Sequence, residues 1–506
     1  MTVAAPISSE SHFATDHLRD NLRRRSVRGG AITLFVQGSK FLLKTASTVL
    51  LARMLTPNDY GLVAMVSAVI GFAGIFKDMG LSTATIQRDE LNHNQVSVLF
   101  WLNVVVSLAV TLIVAACGPA LAWFYHEPKL TVLTAVMGIT FLMGGLSVQH
   151  QALLARQMRF VAMGVIEVVS MTISIVVGLV MAKRGWGYWS LAMMAIANEI
   201  SDIVLSWTLC RWRPTLPRRG SGVKSLVHFG GNVTAASCLS YVSRNADNML
   251  IGWYWGAAPV GMYSKAYQLF MLPLQQITTP VNAVVLPALS RLADEPQRYR
   301  NYFMRVTTLV NTLGMPMAVV MAVLAEETIR VSLGRQWMSV VPVFQVLSIS
   351  AIFQPLTSST GWLYLSTGRG RTMLRWTLCS TAVFVASFVI GLPHGVIGVA
   401  VCYTIARFIL TVPAMVVACR GTPVRLIDVA QAVKQPIVAA GVAGVVCWVT
   451  RSLLYAAGFG KWQVFLLAGS AAAVATFLTL AIAFRNLEFY RSLYSDLMPK
   501  KPGVES

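Results

Sequence analysis

The sequence predicts an all-α polytopic membrane protein of about fourteen transmembrane helices, and three observations carry that reading. First, 56% of the 506 residues are hydrophobic and only 12% are charged, against about 25% charged in soluble domains. The deficit runs along the whole chain, which excludes a soluble enzyme with a single anchor. Second, apolar runs of roughly 20 residues, the length a bilayer demands, recur from end to end. Third, those runs are unbroken. Barrel strands alternate apolar and polar residues, so only helices satisfy the backbone of such segments in lipid.

In chain order the predicted spans are 30–54, 60–80, 97–121, 130–154, 161–182, 187–210, 226–254, 259–287, 303–325, 339–365, 373–393, 395–418, 433–456 and 462–484. Pro or Gly marks most of the borders, where helices stop most readily. A polar tail, 1–28, ends in the basic run RDNLRRRSVR, and no small-residue cleavage site closes the first apolar run. That pattern predicts a retained first helix instead of a signal peptide. The predicted organisation is a first lobe (29–211), a basic linker (212–225), a second lobe (226–418), two further helices (419–484) and a C-terminal tail (485–506).

A net charge of +21 suggests nucleic acid, but its distribution points elsewhere. With the N-terminus inside, most Lys and Arg fall in the tails and inner loops. The predicted outer loops carry Lys129, Lys183, Arg184, Arg330, Arg335, Arg451 and Lys461. This is the positive-inside pattern of a bacterial inner-membrane protein with both termini in the cytoplasm. The cysteines Cys117, Cys210, Cys238, Cys379, Cys402, Cys419 and Cys447 lie in or beside spans without a C-x-x-C, as small buried hydrophobes. The histidines are scattered, so no metal site is expected. No G-x-x-x-x-G-K-[ST] loop occurs, and no stretch between spans is long enough for a catalytic domain. Transport, with no cofactor and no catalysis, is the expected activity.

The chain repeats itself. LLARMLTPNDYGLVA (50–64) aligns on LIGWYWGAAPVGMYS (250–264) at an offset of 200, matching Leu50 with Leu250 and Gly61 with Gly261. GWGYWSLA (185–192) faces PHGVIGVA (393–400) at an offset of 208. An even number of spans separates the halves, so the repeats are parallel, related by an axis along the membrane normal. The runs LLARMLTPNDYGLVAMVSAVIGFAGIFKDMGLSTATIQR (50–88) and DNMLIGWYWGAAPVGMYSKAYQLFMLPLQQITTPVNAVVLPALSRL (247–292) resemble the polysaccharide-transporter family of the MOP superfamily. The Wzx-type flippases of the colanic-acid and xanthan kind are the branch they resemble most. The resemblance implies a MATE/MOP-like architecture of two parallel six-helix lobes around a central cavity, plus two C-terminal helices. It also implies export of a polyprenyl-diphosphate-linked oligosaccharide to the outer leaflet, alongside a polysaccharide polymerase and export machinery.

Charges inside spans are the site candidates, because one at mid-bilayer costs about 2.5–3.5 kcal/mol on insertion. Gln37, Lys40, Lys44 and Thr48 form a polar stripe on the first span, and Tyr241, Arg244, Asn245 and Asn248, with Asp247 beside them, form one on the seventh. The offset of 200 places Lys44 on Arg244. Two equivalent cations suit a diphosphate, whose lost water their donors replace. The alternative is that Arg244 pairs with Asp247 and Lys44 with an acid elsewhere. Glu199 maps onto Arg407 at the offset of 208, as part of a cavity network or as a structural pair. Lys265 either faces the cavity or snorkels outward. Glu199, Asp202 and Asp247 are candidates for proton or sodium coupling. Glu167 and Asp78 are read as interfacial, and Pro273, Pro280 and Pro287 as bends in one helix. Trp123, Trp186, Trp189, Trp253, Trp255, Trp337 and Trp462 are read as an aromatic belt.

Three other activities compete. A lipid II flippase shares the anionic cargo. A multidrug cation antiporter calls for an acidic or neutral cavity, whereas the mid-span excess is basic. A membrane glycosyltransferase or polymerase lacks its extramembrane lobe here.

Overall fold

The computed structural model describes residues 22–75, 85, 92–216, 241 and 245–483, and all the regular structure among them is helical. Nine helical stretches among the described residues are long and apolar enough to cross a membrane. The protein is a multi-pass membrane protein. Backbone contacts divide it into two units, Met1–Gly261 and Met262–Ser506. Most of the linker expected at 212–225, together with Asp78, Cys238 and Arg244, lies outside the described residues.

The first unit holds α1 (Leu22–Ala52), α2 (Pro57–Gly74), α3 (His93–Tyr125), α4 (Lys129–Arg156), α5 (Phe160–Lys183), α6 (Trp189–Cys210), helical residues 245–255 and the start of α7 (Ala257–Arg291). The closest pairings are α3 on α4, α5 on α6, α4 on α6 and α1 on α5. Val96, Phe100, Leu153, Leu154, Ile166 and Trp212 close its core.

The T-P-x-D-x-G run acquires a physical account here. Thr56 caps α2: its hydroxyl accepts from the Asp59 N–H, the Asp59 carboxylate accepts from the Thr56 N–H at 2.9 Å, and Pro57 opens the helix. This is a capping box with proline where the helix needs no donor. Five residues on, Gly61 meets the start of α7. A Cβ on Gly61 would stand 1.7 Å from the Ala257 carbonyl oxygen, and one on Gly261 would stand 1.8 Å from the Pro57 oxygen. Pro57 and Ala257, like Gly61 and Gly261, are 200 apart, so the contact is reciprocal under the sequence repeat. The matched glycines exist because two helix starts cross backbone to backbone.

The second unit holds the rest of α7, α8 (Pro296–Val323), α9 (Ala325–Ser332), α10 (Val341–Ser350), α11 (Gln354–Ser366), α12 (Gly370–Gly391), α13 (Gly395–Cys419), α14 (Leu426–Ala456) and α15 (Lys461–Leu478). α8 packs on α14, α12 on α13, α14 on α15 and α10 on α13. One of its cores gathers Val285, Tyr299, Phe303, Trp362, Leu363 and Met415.

Two expectations change. The span expected at 339–365 lies inside one apolar helical stretch, Arg335–Ser366, but it is not α-helical throughout: a 3-10 turn, Ala351–Phe353, separates α10 from α11 immediately before Gln354 and Pro355. Pro355 has no N–H to donate to the Ala351 carbonyl four residues back and its ring crowds that oxygen, which accounts for the local 3-10 turn. By contrast α7 runs unbroken through Pro273, Pro280 and Pro287. Among the belt tryptophans, Trp123, Trp186, Trp253, Trp255 and Trp462 are exposed, but Trp337 is 0% exposed and belongs to the core.

Candidate functional site

In the first unit Lys40, on α1, donates to the Glu167 carboxylate of α5 at 2.8 Å. Both side chains are more than a third exposed, 35% and 39%, so the pair adds little stability in water. Within a span it cancels two expensive charges. Lys40 therefore has an acid partner that the sequence reading had not given it, and Glu167 joins two helices instead of standing alone at an interface. Lys44, one turn further along α1, is exposed, and no carboxylate of the first unit among the described residues lies within ion-pair distance of it. Gln37 is also exposed, and Thr48 half-buried.

Asp202 on α6 accepts from the Gln151 amide of α4 at 2.5 Å, which anchors one of the three coupling candidates to its neighbour. Glu199, one turn earlier, is half-buried. Asp247 is buried, at 5% exposure, and accepts from the Asn248 backbone at 2.8 Å. The polar stripe of the seventh span is partly spent on packing: the Tyr241 hydroxyl donates to the Ser67 carbonyl of α2 at 3.1 Å, and the Asn245 amide to the Tyr241 carbonyl at 3.0 Å. Arg244, the cation expected to match Lys44, lies outside the described residues.

In the second unit Lys265 is 7% exposed and donates to Gln268, one turn along α7, at 3.0 Å. Burial excludes the outward snorkelling considered for it, because a snorkelling ammonium keeps its head in water.

Arg407, half-buried on α13, has the most distinctive surroundings of the candidate cations. Its Nη1 donates to the Gln354 side-chain oxygen at the start of α11. Its Nε and Nη2 donate to the Tyr403 hydroxyl, at 3.2 and 2.5 Å. The guanidinium carbon stands 5.2 Å from the centre of the Tyr403 ring, in cation–π range. Tyr403 is itself held against Phe388, 5.8 Å between ring centres. Every partner is neutral. Among the described residues of the second unit, no carboxylate lies within ion-pair distance of Arg407. Dipoles and a ring face ease the burial of its charge without cancelling it, so a net positive charge remains for an anion.

Gln354 and Tyr403 were missed from sequence. Tyr403 precedes Arg407 by four residues and so shares its helix face. Gln354 opens the polar stretch QPLTSST inside an otherwise apolar span, a signal that the break after Phe353 explains. No group of three or more His, Cys, Asp or Glu suited to a metal ion occurs among the described residues.

Residues 50–342 match the profile of the family described as polysaccharide biosynthesis protein. The teichuronic acid biosynthesis protein TuaB of Bacillus subtilis (strain 168) is 26% identical, over 66% of this chain and 70% of its own. The lipopolysaccharide biosynthesis protein WzxC of Escherichia coli (strain K12) is 23% identical, over 78% and 80%. The succinoglycan biosynthesis transport protein ExoT of Rhizobium meliloti (strain 1021) is 25% identical, over 67% and 68%. Among solved structures, the lipid II flippase MurJ in an inward closed conformation superposes with a TM-score of 0.71 at 12% identity, covering 91% of this chain and all of its own. An inward-facing MATE-family transporter of the MOP superfamily gives 0.57 at 14% identity, covering 78% and 95%. Those likenesses show a MOP-like all-helical fold, and the profile match over more than half of its length makes this chain a member of the polysaccharide biosynthesis protein family.

Proposed function

We propose that this protein is a flippase. It carries a polyprenyl-diphosphate-linked oligosaccharide from the cytoplasmic to the outer leaflet of the bacterial inner membrane, by alternating access and without catalysing a reaction. The observation that carries the reading is Arg407, a cation within a membrane-spanning helix whose partners among the described residues of its unit are all neutral. A charge held at such expense serves a function by default. A diphosphate meets it as the missing counter-charge, through a guanidinium whose planar fork suits phosphate oxygens. Lys44, with no acid partner in its own unit among the described residues, is by itself the cation of the first unit best placed to meet an anionic cargo. Lys265, buried in the second unit, is a further cation of that unit, Arg244 remains a proposed one of the first, and Lys40, paired with Glu167, is the weakest of the proposed contacts. The names of TuaB, WzxC and ExoT support the cargo class.

An inside-negative potential drives an anion outward by about 2.3 kcal/mol per charge per 100 mV, so the diphosphate gains from flipping without a coupled ion. Glu199, Asp202 and Asp247 are then structural, and proton or sodium coupling is unnecessary. The basic tails and inner loops support termini in the cytoplasm, beside the enzymes that assemble the cargo. A polysaccharide polymerase and export machinery take it up outside.

The test is to delete the gene and follow the lipid-linked repeat unit. Accumulation on the inner leaflet, reversed by the wild-type chain, is the expected result. Unchanged delivery of glycan to the outer face, with loss of lipid II transport or of drug efflux instead, would overturn the assignment.

A further inference from the structure

We infer that the outer end of the first unit carries a binding platform for the sugar rings of the cargo, a ladder of aromatic side chains that holds the oligosaccharide by its apolar faces. The inference rests on the proposed cargo and names the part of the chain that meets its glycan. Trp253, Tyr254 and Trp255 are the last residues of the helical stretch 245–255 and stand 49%, 52% and 43% exposed. Their rings follow one another: Trp255 to Tyr254 at 5.3 Å between centres, and Tyr254 to Trp253 at 6.2 Å. Trp253 continues onto Phe124 of α3 at 6.3 Å, the two rings 22° from parallel, and Phe124 onto Tyr125 at 4.8 Å. Five rings from two helices form one continuous series.

The ladder is fixed before any ligand arrives. Gly252 lets the two helices approach: a Cβ there would stand 2.7 Å from the Tyr125 ring and 3.1 Å from Val260. Tyr125 is 4% exposed and anchors the buried end of the series, so Trp253, next to Gly252, is brought against Phe124. The helical stretch then stops on Gly256, whose φ of +82° suits a glycine that ends a helix. α3 ends in the same way, on His126 at φ +56°. Rigid aromatic surface has little conformational freedom to lose on binding, which favours a weakly held, extended ligand.

Geometry and chemistry select a sugar over a lipid. Interfacial aromatics that anchor a span sit on its lipid-facing side. Successive residues of a helix point about 100° apart, so Trp253 and Trp255 diverge by about 200° and no single face holds all three. At least one exposed ring therefore turns away from any lipid that the others meet. A pyranose suits such a series: its C–H face is drawn to the electron-rich face of an aromatic ring, and its hydroxyls need hydrogen-bond partners at the rim. The Tyr254 hydroxyl, the Trp253 indole N–H, and His126 and Glu127, which follow Tyr125 in the chain, supply donors and acceptors. α3 is 33 residues long, about 50 Å against a hydrocarbon core of about 30 Å. The apolar run read as its span ends at residue 121, so the rings stand at the edge of the core or past it. With the termini in the cytoplasm that end is the outer one, where an exported oligosaccharide leaves.

The experiment uses the purified full-length chain in a detergent without a sugar head, with binding followed by isothermal titration. The probes are the intact lipid-linked repeat unit of the producing cells, the oligosaccharide released from it by mild acid, and phosphatidylglycerol. Saturable binding of the released oligosaccharide is the expected result. Trp253→Leu with Tyr254→Leu should weaken it about tenfold, which is about 1.4 kcal/mol. Trp186→Leu, at an exposed tryptophan outside the ladder, should leave it unchanged. A photoactivatable derivative of the released oligosaccharide needs no variant to fold, and should label peptides covering 123–127 and 252–256 of the wild-type chain. Labelling elsewhere, unchanged affinity in the double variant, or displacement by phosphatidylglycerol at equal concentration would each overturn the platform. Binding of the intact unit without binding of the released oligosaccharide would overturn the platform and leave the cargo assignment standing. Binding of neither would overturn the cargo assignment, and the platform with it.

Discussion

Arg407 and Arg451 are both arginines on long apolar helices of the second unit, and their surroundings are opposites. Arg451, near the end of α14, donates to Glu327 of α9 at 2.8 Å and lies 3.6 Å from Glu326. Lys461, at the start of α15, pairs with Glu326, and the Tyr455 hydroxyl donates to Glu327. The Glu327 side chain is 0% exposed. Two acids and two cations thus pin α14 and α15 to α9, and the charges cancel within the cluster. Arg407 is held by an amide, a phenol and a ring face, and its charge stays. In a bilayer a cation with acids around it is architecture, whereas a cation with neutral partners is available to a ligand.

The largest expected effect lies on the architectural side. Glu327→Ala leaves Arg451 without its closest acid, and removing one partner of a buried pair costs about 3–5 kcal/mol. Folded protein in the membrane, measured by fluorescence-detected gel filtration, should fall steeply, and Arg451→Met in the same chain should restore part of it. Normal yield of the single variant would erase the contrast with Arg407.

Next comes the helix crossing. Gly61→Ala or Gly261→Ala forces a methyl group into a carbonyl oxygen at 1.7 or 1.8 Å, and backbone cannot rotate aside. A loss of about 1–3 kcal/mol, the range for overpacking, is expected from either. The measurement is the thermal midpoint of each variant, and the two should be alike because the contact is reciprocal. An unaffected midpoint in one of them would separate the repeats.

Effects on the amount of folded protein should be smaller at the neutral partners of Arg407, where the loss falls on transport. Tyr403→Phe keeps the ring face and removes the hydroxyl, while Gln354→Leu removes the amide. Each deletes a bond to a charged group worth about 1.5–3 kcal/mol, so flipping at matched protein level should fall by roughly tenfold or more with little change in yield. Loss of yield with normal flipping per molecule would move Arg407 to the architectural class. The smallest effect belongs to Lys40→Gln, since an ion pair this exposed is worth about 0–1 kcal/mol in water. Yield and midpoint should barely move, and a collapse would show that the pair is far better shielded than its exposure indicates.

The helical fold was legible because lipid enforces it. Apolar runs of bilayer length leave few other solutions, and the bounds of α3, α4, α5 and α6 fall within a few residues of the expected spans. The glycine repeat was legible as a match, but its cause was not, because a backbone-to-backbone crossing leaves no side-chain signal beyond the glycines themselves. Charged candidates could be found one at a time by their cost. Their partners could not, since Lys40 and Glu167 are 127 residues apart, and Arg451 and Glu327 are 124 apart. Counted only as outer-loop charges for topology, Arg451 and Lys461 proved to be the clamp on the last two helices. The break before Gln354 was hidden by the mean hydropathy of its span, although Pro355 and the serines and threonines after it mark the place.

The most direct measurement is delivery of lipid-linked glycan to the outer face in cells producing Arg407→Gln or Arg451→Gln, each normalised to folded protein in the membrane. Arg407→Gln should be present at near wild-type amount, because losing the charge makes the helix cheaper to insert, with flipping reduced about tenfold or more. Arg451→Gln should show the reverse, with little protein and near-normal flipping per molecule. Full flipping in Arg407→Gln at matched amount would contradict the claim that a cation held by neutral partners receives the cargo.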